Sequence, residues 1–144
     1  MIIALCGSLS LGDEFMRVKG ELERLGHSVL VPESLRKFEL HTAKDVAAFK
    51  SERADYLKIK PTYMRDHFDK IAGSDAILVV NMEKKGIRDY VGGNTFAEIM
   101  IAFYLNKKIF FMNPLPEHER LEAFREELES IKPVIIHGDL NKIR

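Results

Sequence analysis

One carboxylate in this chain stands where a carboxylate is costly. Glu98 lies in Tyr90-Val91-Gly92-Gly93-Asn94-Thr95-Phe96-Ala97-Glu98-Ile99-Met100, where a glycine-rich turn runs into a helix start. No other acid occurs between Asp89 and Glu117, and Ile99, Met100, Ile101, Ala102 and Phe103 follow directly. An acid in such surroundings is ion-paired, caps a helix, or is chemically employed. Withdrawn from water, it can serve as a nucleophile or as an acid of raised pKa. Thr95-Phe96-Ala97-Glu98 also matches the capping box, in which a threonine and a glutamate three residues later satisfy helix-start N–H groups. Both uses are open, and they are compatible.

A second candidate lies in Gly7-Ser8-Leu9-Ser10-Leu11-Gly12, between an apolar strand and a helix. Glycine allows close backbone approach, and Ser8 and Ser10 offer hydroxyls. The helix start adds unpaired N–H groups and a favourable dipole, a combination suited to phosphate. The loop lacks both the GK[ST] ending of a P-loop and the G-x-G-x-x-G dinucleotide spacing, and an ordinary turn with a cap would look the same. His67 and Asp69, with Asp66 beside them, lie on the helix that feeds the central strand. Their spacing is not that of metal ligands, and no H-x-x-x-H pair occurs. Lys84-Lys85-Gly86-Ile87-Arg88 reads as a solvated loop that can also close over an anion. Glu117 to Glu129 reads as an exposed helix face.

The elements that must position these residues alternate. Ile2 to Cys6, Ser28 to Val31, Ala76 to Val80, Lys108 to Met112 and Val134 to Ile136 read as strands, most of them short apolar runs ended by glycine, proline or asparagine. Helices are expected from Asp13 to Leu25, from Ala43 to Leu57 after a loop, from Tyr63 to Ala72, from the glycine-rich loop to about Leu105, and from Glu117 to Ile131. Alternation of this kind predicts an α/β fold: a single flavodoxin-like, Rossmann-like three-layer domain over residues 1–144, with five parallel strands in the order 2-1-3-4-5. Ligands on such sheets bind beyond the carboxyl ends of the strands. The loops at Gly7, Asn81 and Asn113 share that edge, which makes Asn81 and Asn113 candidate binding residues.

Composition narrows the function classes. With 144 residues, 46% hydrophobic and 31% charged, the chain fits one folded domain. Lys plus Arg and Asp plus Glu number 22 each, so no net charge draws the chain to a nucleic-acid polymer or an anionic membrane. The single cysteine, Cys6, permits no intrachain disulfide and reads as a small buried hydrophobe. No apolar run approaches membrane-spanning length and the opening run is too short for a secretory signal, so a cytoplasmic protein is expected.

Three stretches together resemble the nucleoside 2-deoxyribosyltransferase superfamily, which includes the 2′-deoxynucleoside 5′-phosphate N-hydrolases. They are Ile3-Ala4-Leu5-Cys6-Gly7-Ser8, Ser74-Asp75-Ala76-Ile77-Leu78-Val79-Val80-Asn81, and Gly93-Asn94-Thr95-Phe96-Ala97-Glu98 with Ala102 and Lys107-Lys108-Ile109-Phe110 after it. Order and spacing agree over most of the chain, except from Glu33 to Lys60. The resemblance implies that Glu98 attacks the anomeric carbon of a nucleoside or nucleotide, displacing the base and leaving a glycosyl-enzyme ester for water or a second base. It also implies a binding role for Gly7, Ser8 and Ser10 near the sugar or its phosphate. Superfamily members usually carry an acid on the helix before the central strand; His67 stands at or near that position, with Asp69 as the neighbouring candidate. Asn94 stands where the D-G-T loop often has aspartate, Asn81 where another acid is sometimes found, and Gly92 near the place of a phosphate-binding serine. Backbone N–H groups of Gly92 and Gly93 can take over that contact. No cofactor is implied, and sites completed by a neighbouring subunit imply a homodimer or higher homo-oligomer, with Tyr56, Tyr63, Phe103 and Tyr104 as interface or core candidates. The amides at 81 and 94 equally suit a nucleotide-binding or sensing protein without turnover, and a purely structural partner protein would use Glu98 only as a cap.

Overall fold

Four of the five residues of strand β1, Ile2–Cys6, are buried, because both faces of this strand are covered. The computed structural model describes every residue from Met1 to Arg144. Its sheet also contains β2 (Ser28–Leu30), β3 (Ala76–Val79), β4 (Lys108–Phe111) and β5 (Val134–Ile135). All neighbours pair in parallel, in the order β2-β1-β3-β4-β5, so the expected α/β architecture and strand order are observed. Six α-helices flank the sheet: α1 (Gly12–Arg24), α2 (Glu33–Lys37), α3 (Ala43–Phe49), α4 (Arg53–Ala72), α5 (Gly93–Tyr104) and α6 (Arg125–Ile131). No helix is long and apolar enough to cross a membrane.

Strand side chains alternate between faces, and this parity decides what meets what. Ile3, Leu5, Ala76, Leu78 and Phe110 join Phe15, Val18 and Leu22 of α1 in one apolar cluster. Ala4, Cys6, Ile77, Val79 and Phe111 join Ile71 of α4, Ile99 and Ala102 of α5 and Leu128 of α6 in the other. Each fully buried Leu, Ile or Phe contributes about 1.5–3 kcal/mol of transfer free energy, so two continuous clusters hold the three layers together. The same parity turns Cys6, the last residue of β1, toward α4 and α5 rather than toward α1.

The segment before α4 departs from expectation. Instead of one helix from Ala43 to Leu57, α3 ends at Phe49 and α4 begins at Arg53, ten residues ahead of the expected Tyr63. The Thr42 hydroxyl and Asp45 carboxylate form a true capping box that starts α3. Helix α4 runs on through Pro61, which costs one backbone hydrogen bond but leaves its packed face in register. Glu33–Lys37, read as loop, forms the short α2. The acidic stretch is helical only from Arg125, with a 3-10 turn over Glu119–Phe124 before it.

A close approach fixes this segment over the sheet edge. A β-carbon on Gly12 would lie 1.9 Å from the Leu40 carbonyl oxygen. The Asp13 N–H donates to His41 O at 3.2 Å in the same contact. Only glycine lets the backbone after α2 rest on the start of α1, and α3 is thereby held above the carboxyl end of β1.

Candidate active site

A cavity of about 250 Å³ opens at the carboxyl end of β1 and β3, with Glu98, His67, Gly7, Ser8, Gly92, Gly93 and Asn94 in its lining. Seven of the eleven catalytic and binding candidates from the sequence therefore share one site. Phe49, Lys50, Tyr56, Lys60, Tyr63, Lys84 and Tyr90 complete most of its walls.

Glu98 is 4% exposed and lies in the second turn of α5, reached after Gly92 as the helix cap and Gly93 as the first helical residue. This overturns the capping-box reading. The helix begins two residues ahead of Thr95, no side chain caps it, and Glu98 has turned inward. Its Oε1 accepts a hydrogen bond from Asn94 Nδ2 at 3.0 Å, and its Oε2 is buried without a partner. Burial raises its pKa to about 8, against the opposing pull of the neighbouring Cys6 thiol and the Asn94 amide. At that value Glu98 is mostly protonated at pH 7.

Beneath it lie Cys6 and His67, whose ligand-type atoms and a Glu98 oxygen all fall within 4.8 Å of one another. The trio has the spacing of a metal centre, but its hydrogen bonding opposes one. His67 Nε2 is 2.9 Å from the Leu5 carbonyl oxygen, which can only accept, so Nε2 carries the proton. That same nitrogen faces Cys6 Sγ at 3.8 Å, and a protonated nitrogen has no lone pair for a cation. The lone pair sits on Nδ1, buried and unpartnered. Burial lowers the His67 pKa to about 4, and it raises that of the Cys6 thiol well above the ordinary range. Near neutral pH the three are an imidazole, a thiol and a largely protonated acid.

The expected proton donors fare differently from the nucleophile. The one proton of neutral His67 is committed to Leu5 O, so the ring positions the floor of the cavity rather than serving the leaving base. Asp69 is exposed on α4 and lies outside the cavity lining. Asp66 is ion-paired with Lys70 Nζ at 3.0 Å. On a helix, residues two and one positions from an inward-facing His67 point elsewhere, and this removes both acids from the site.

Ser10, Asn81 and Asn113 also lie outside the lining. The Ser10 hydroxyl is 2.8 Å from that of Ser8 and supports it from behind. Asn81, fully buried, donates from Nδ2 to Asn113 O at 3.1 Å and Pro114 O at 2.8 Å, and accepts from the Asn113 N–H at 2.9 Å. Asn113 Nδ2 returns a bond to Asn81 O at 3.1 Å. These two amides clamp the ends of β3 and β4, consuming the polar groups that a ligand would need. Phe103 and Tyr104 are exposed at the far end of α5, while Tyr56 and Tyr63 face the cavity.

Lys84 donates to Ser8 Oγ at 2.9 Å and lies 5.2 Å from the centre of the Tyr90 ring. Partial burial lowers its pKa, as do the like charges of Lys50 and Lys85. Lys50 and Lys60 lie against the Tyr56 ring at 5.2 and 5.6 Å, and Phe49 meets Tyr56 edge-on at 5.4 Å. Sequence reasoning named Tyr56 and Tyr63 only as interface or core candidates and passed over the rest of this wall, yet a signal was present. Tyr56, Lys60, Tyr63 and His67 recur at helical spacing and form one face of α4 once that helix is allowed to cross Pro61.

The cavity therefore has a carboxyl floor, an aromatic wall and a cationic rim. Compared with protein-family models the chain matches none, and no curated protein matches it closely.

Proposed function

We propose that the chain cleaves the N-glycosidic bond of a nucleoside or deoxynucleoside 5′-phosphate, with Glu98 as nucleophile. The observation that carries this reading is the unpartnered Glu98 Oε2 at the floor of the cavity, with Oε1 held by Asn94. The resemblance to the nucleoside 2-deoxyribosyltransferase superfamily supports it. So does the division of the cavity into a phenyl and phenol wall suited to a base and an ammonium rim suited to a phosphate.

In the first step an Oε2 lone pair of ionised Glu98 bonds to the anomeric carbon. The carbon–nitrogen bond breaks, its electron pair leaves on the base, and the base takes a proton from water at the open side. In the second step water displaces the ester at the same carbon. Its hydroxyl goes to the sugar and its remaining proton to solvent, which restores the Glu98 carboxylate. Two displacements retain configuration, as in other glycosyl-ester mechanisms. Sugar and phosphate exclude water from Glu98 while bringing polar groups to it, so ligand contacts decide how much of the acid is ionised in the complex.

A screen of nucleosides and their 5′-monophosphates and 5′-diphosphates for free base tests the activity. Glu98→Gln should lower base release by about 10³-fold or more, the scale of losing a covalent nucleophile, with the fold intact. Release by that variant at the wild-type rate would exclude the mechanism.

One observation favours a second reading, a nucleotide-binding or sensing protein. The only proton of neutral His67 is held by Leu5 O, so the ring has none to give the departing base. Tight nucleotide binding with no base released from any member of the screen would establish that reading instead.

A further inference from the structure

Three ammonium groups meet at the mouth of the cavity, and none has a carboxylate partner. Lys50, Lys60 and Lys84 all line it, and the ion pairs of the structure engage Lys19 and Lys70 but none of these three. The only acid in the lining is Glu98, at the floor. Lys84 is partly buried with a neutral serine hydroxyl as its hydrogen-bond acceptor. A half-desolvated ammonium gains little from such a partner, and its like-charged neighbours repel it. The arrangement is that of a site whose counter-charge arrives with the ligand.

The charges also form two groups. Lys84, partly buried, bonds Ser8 in the loop that follows β1. Lys50, exposed at the end of α3, and Lys60 on α4 both lie against the Tyr56 ring. A phosphate monoester carries about −1.5 to −2 charges at pH 7 and would be satisfied at Lys84 with one neighbour. Three ammonium groups, from the partly buried Lys84 to the exposed Lys50, match a longer anion.

We propose that the ligand carries two adjacent phosphoryl groups, as in a nucleoside 5′-diphosphate: the inner one held by Ser8 and Lys84, the outer one by Lys50 and Lys60. This rests on reading the cavity as a nucleotide site and names its ligand class more closely. Specificity for the second phosphoryl then belongs to the roof and is separable from the chemistry at Glu98.

Inorganic anions test the inference without any glycosidic bond. Phosphate, pyrophosphate and tripolyphosphate are titrated calorimetrically into the full chain at pH 7.5, at constant ionic strength and without divalent metal. Pyrophosphate should bind at least about tenfold more tightly than phosphate, a difference of about 1.4 kcal/mol, and tripolyphosphate should add less than a further threefold. The double variant Lys50→Ala/Lys60→Ala should bring pyrophosphate to the affinity of phosphate while leaving phosphate nearly unchanged, whereas Lys84→Ala should weaken both. Equal wild-type affinities, a gain that continues with each added phosphoryl, or a double variant that weakens both anions alike would overturn the two-phosphoryl site. Base release is scored separately. Anion selectivity without base release removes the glycosidase reading alone, and base release without the selectivity removes this inference alone.

Discussion

Asn94 and Glu98 sit one turn apart on the same face of α5, and the Asn94 amide donates to Glu98 Oε1 at 3.0 Å. The pair divides the carboxyl group into an anchored oxygen and a free one. A neutral donor at this position favours the ionised form of Glu98, and a carboxylate there would oppose it. Asn94→Asp should therefore move the rising limb of the rate–pH profile to higher pH. Asn94→Ala should move it the same way by a smaller step, because it removes the donor without adding a charge. Measuring base release from pH 5 to pH 10 for the three proteins checks the order.

The raised pKa of Glu98 sets the wild-type profile. With a value of about 8, only about one tenth of Glu98 is ionised at pH 7. Activity at subsaturating substrate should rise about tenfold per pH unit below that value and level off above it. A flat profile between pH 6 and pH 8 would show that substrate meets an already ionised Glu98.

Stability carries the opposite signature. Glu98 binds its proton more tightly folded than unfolded, so between its ordinary value of 4.5 and about 8 the folded chain holds more protons. Stability must fall as pH rises through that window. His67, lowered from 6.5 to about 4, binds its proton less tightly when folded, so its contribution is lost as pH falls through that range. Where the two windows overlap they offset each other; between 6.5 and 8 the Glu98 contribution dominates. Glu98→Gln should abolish the decline between pH 6.5 and pH 8 and exceed the wild type by more than about 1 kcal/mol at pH 9. Urea unfolding across this range measures it.

Gly12→Ala should release the roof. A β-carbon 1.9 Å from Leu40 O forces apart the backbones of α1 and the segment after α2. The expected cost is about 2 kcal/mol or more, with faster amide exchange concentrated in residues 33–50. Exchange mapped by mass spectrometry should show little change in β1, β3 and β4.

Asn81→Asp should destabilise the fold rather than alter ligand binding. The change removes both donors to Asn113 O and Pro114 O and leaves an acid in a fully buried site. A loss of about 2–4 kcal/mol is expected, greater at pH 8 than at pH 5, because the neutral acid is cheaper to bury than the carboxylate. Denaturation midpoints at the two pH values check it.

The legible parts of the chain were those with strong local patterns. Ala76 to Val79 and Ile2 to Cys6 are apolar enough to admit only a buried strand, and their alternation with helices leads to the observed sheet order. The roof was not legible. Its helices are short and polar, Pro61 disguises the length of α4, and Phe49, Lys50, Tyr56 and Lys60 become neighbours only when α3 turns into α4. Thr95-x-x-Glu98 misled for a related reason. A capping box is a local pattern, and the start of α5 is set two residues earlier, where Gly92 leaves the extended conformation.

By itself, the sequence determined the class of fold, the glycine loops at its ligand edge and the conspicuous position of Glu98, because each of these follows from hydrophobic period and residue chemistry within a few neighbours. Only the tertiary structure decided which side chains share the cavity. It brought Lys50, Lys60 and Lys84 to one rim, sent Asn81 and Asn113 to clamp the sheet, and tied the His67 proton to Leu5 O. Those outcomes depend on which face of α4 docks against β1 and on where the roof crosses the sheet. Contacts between residues far apart in the chain set both, and no local pattern encodes them.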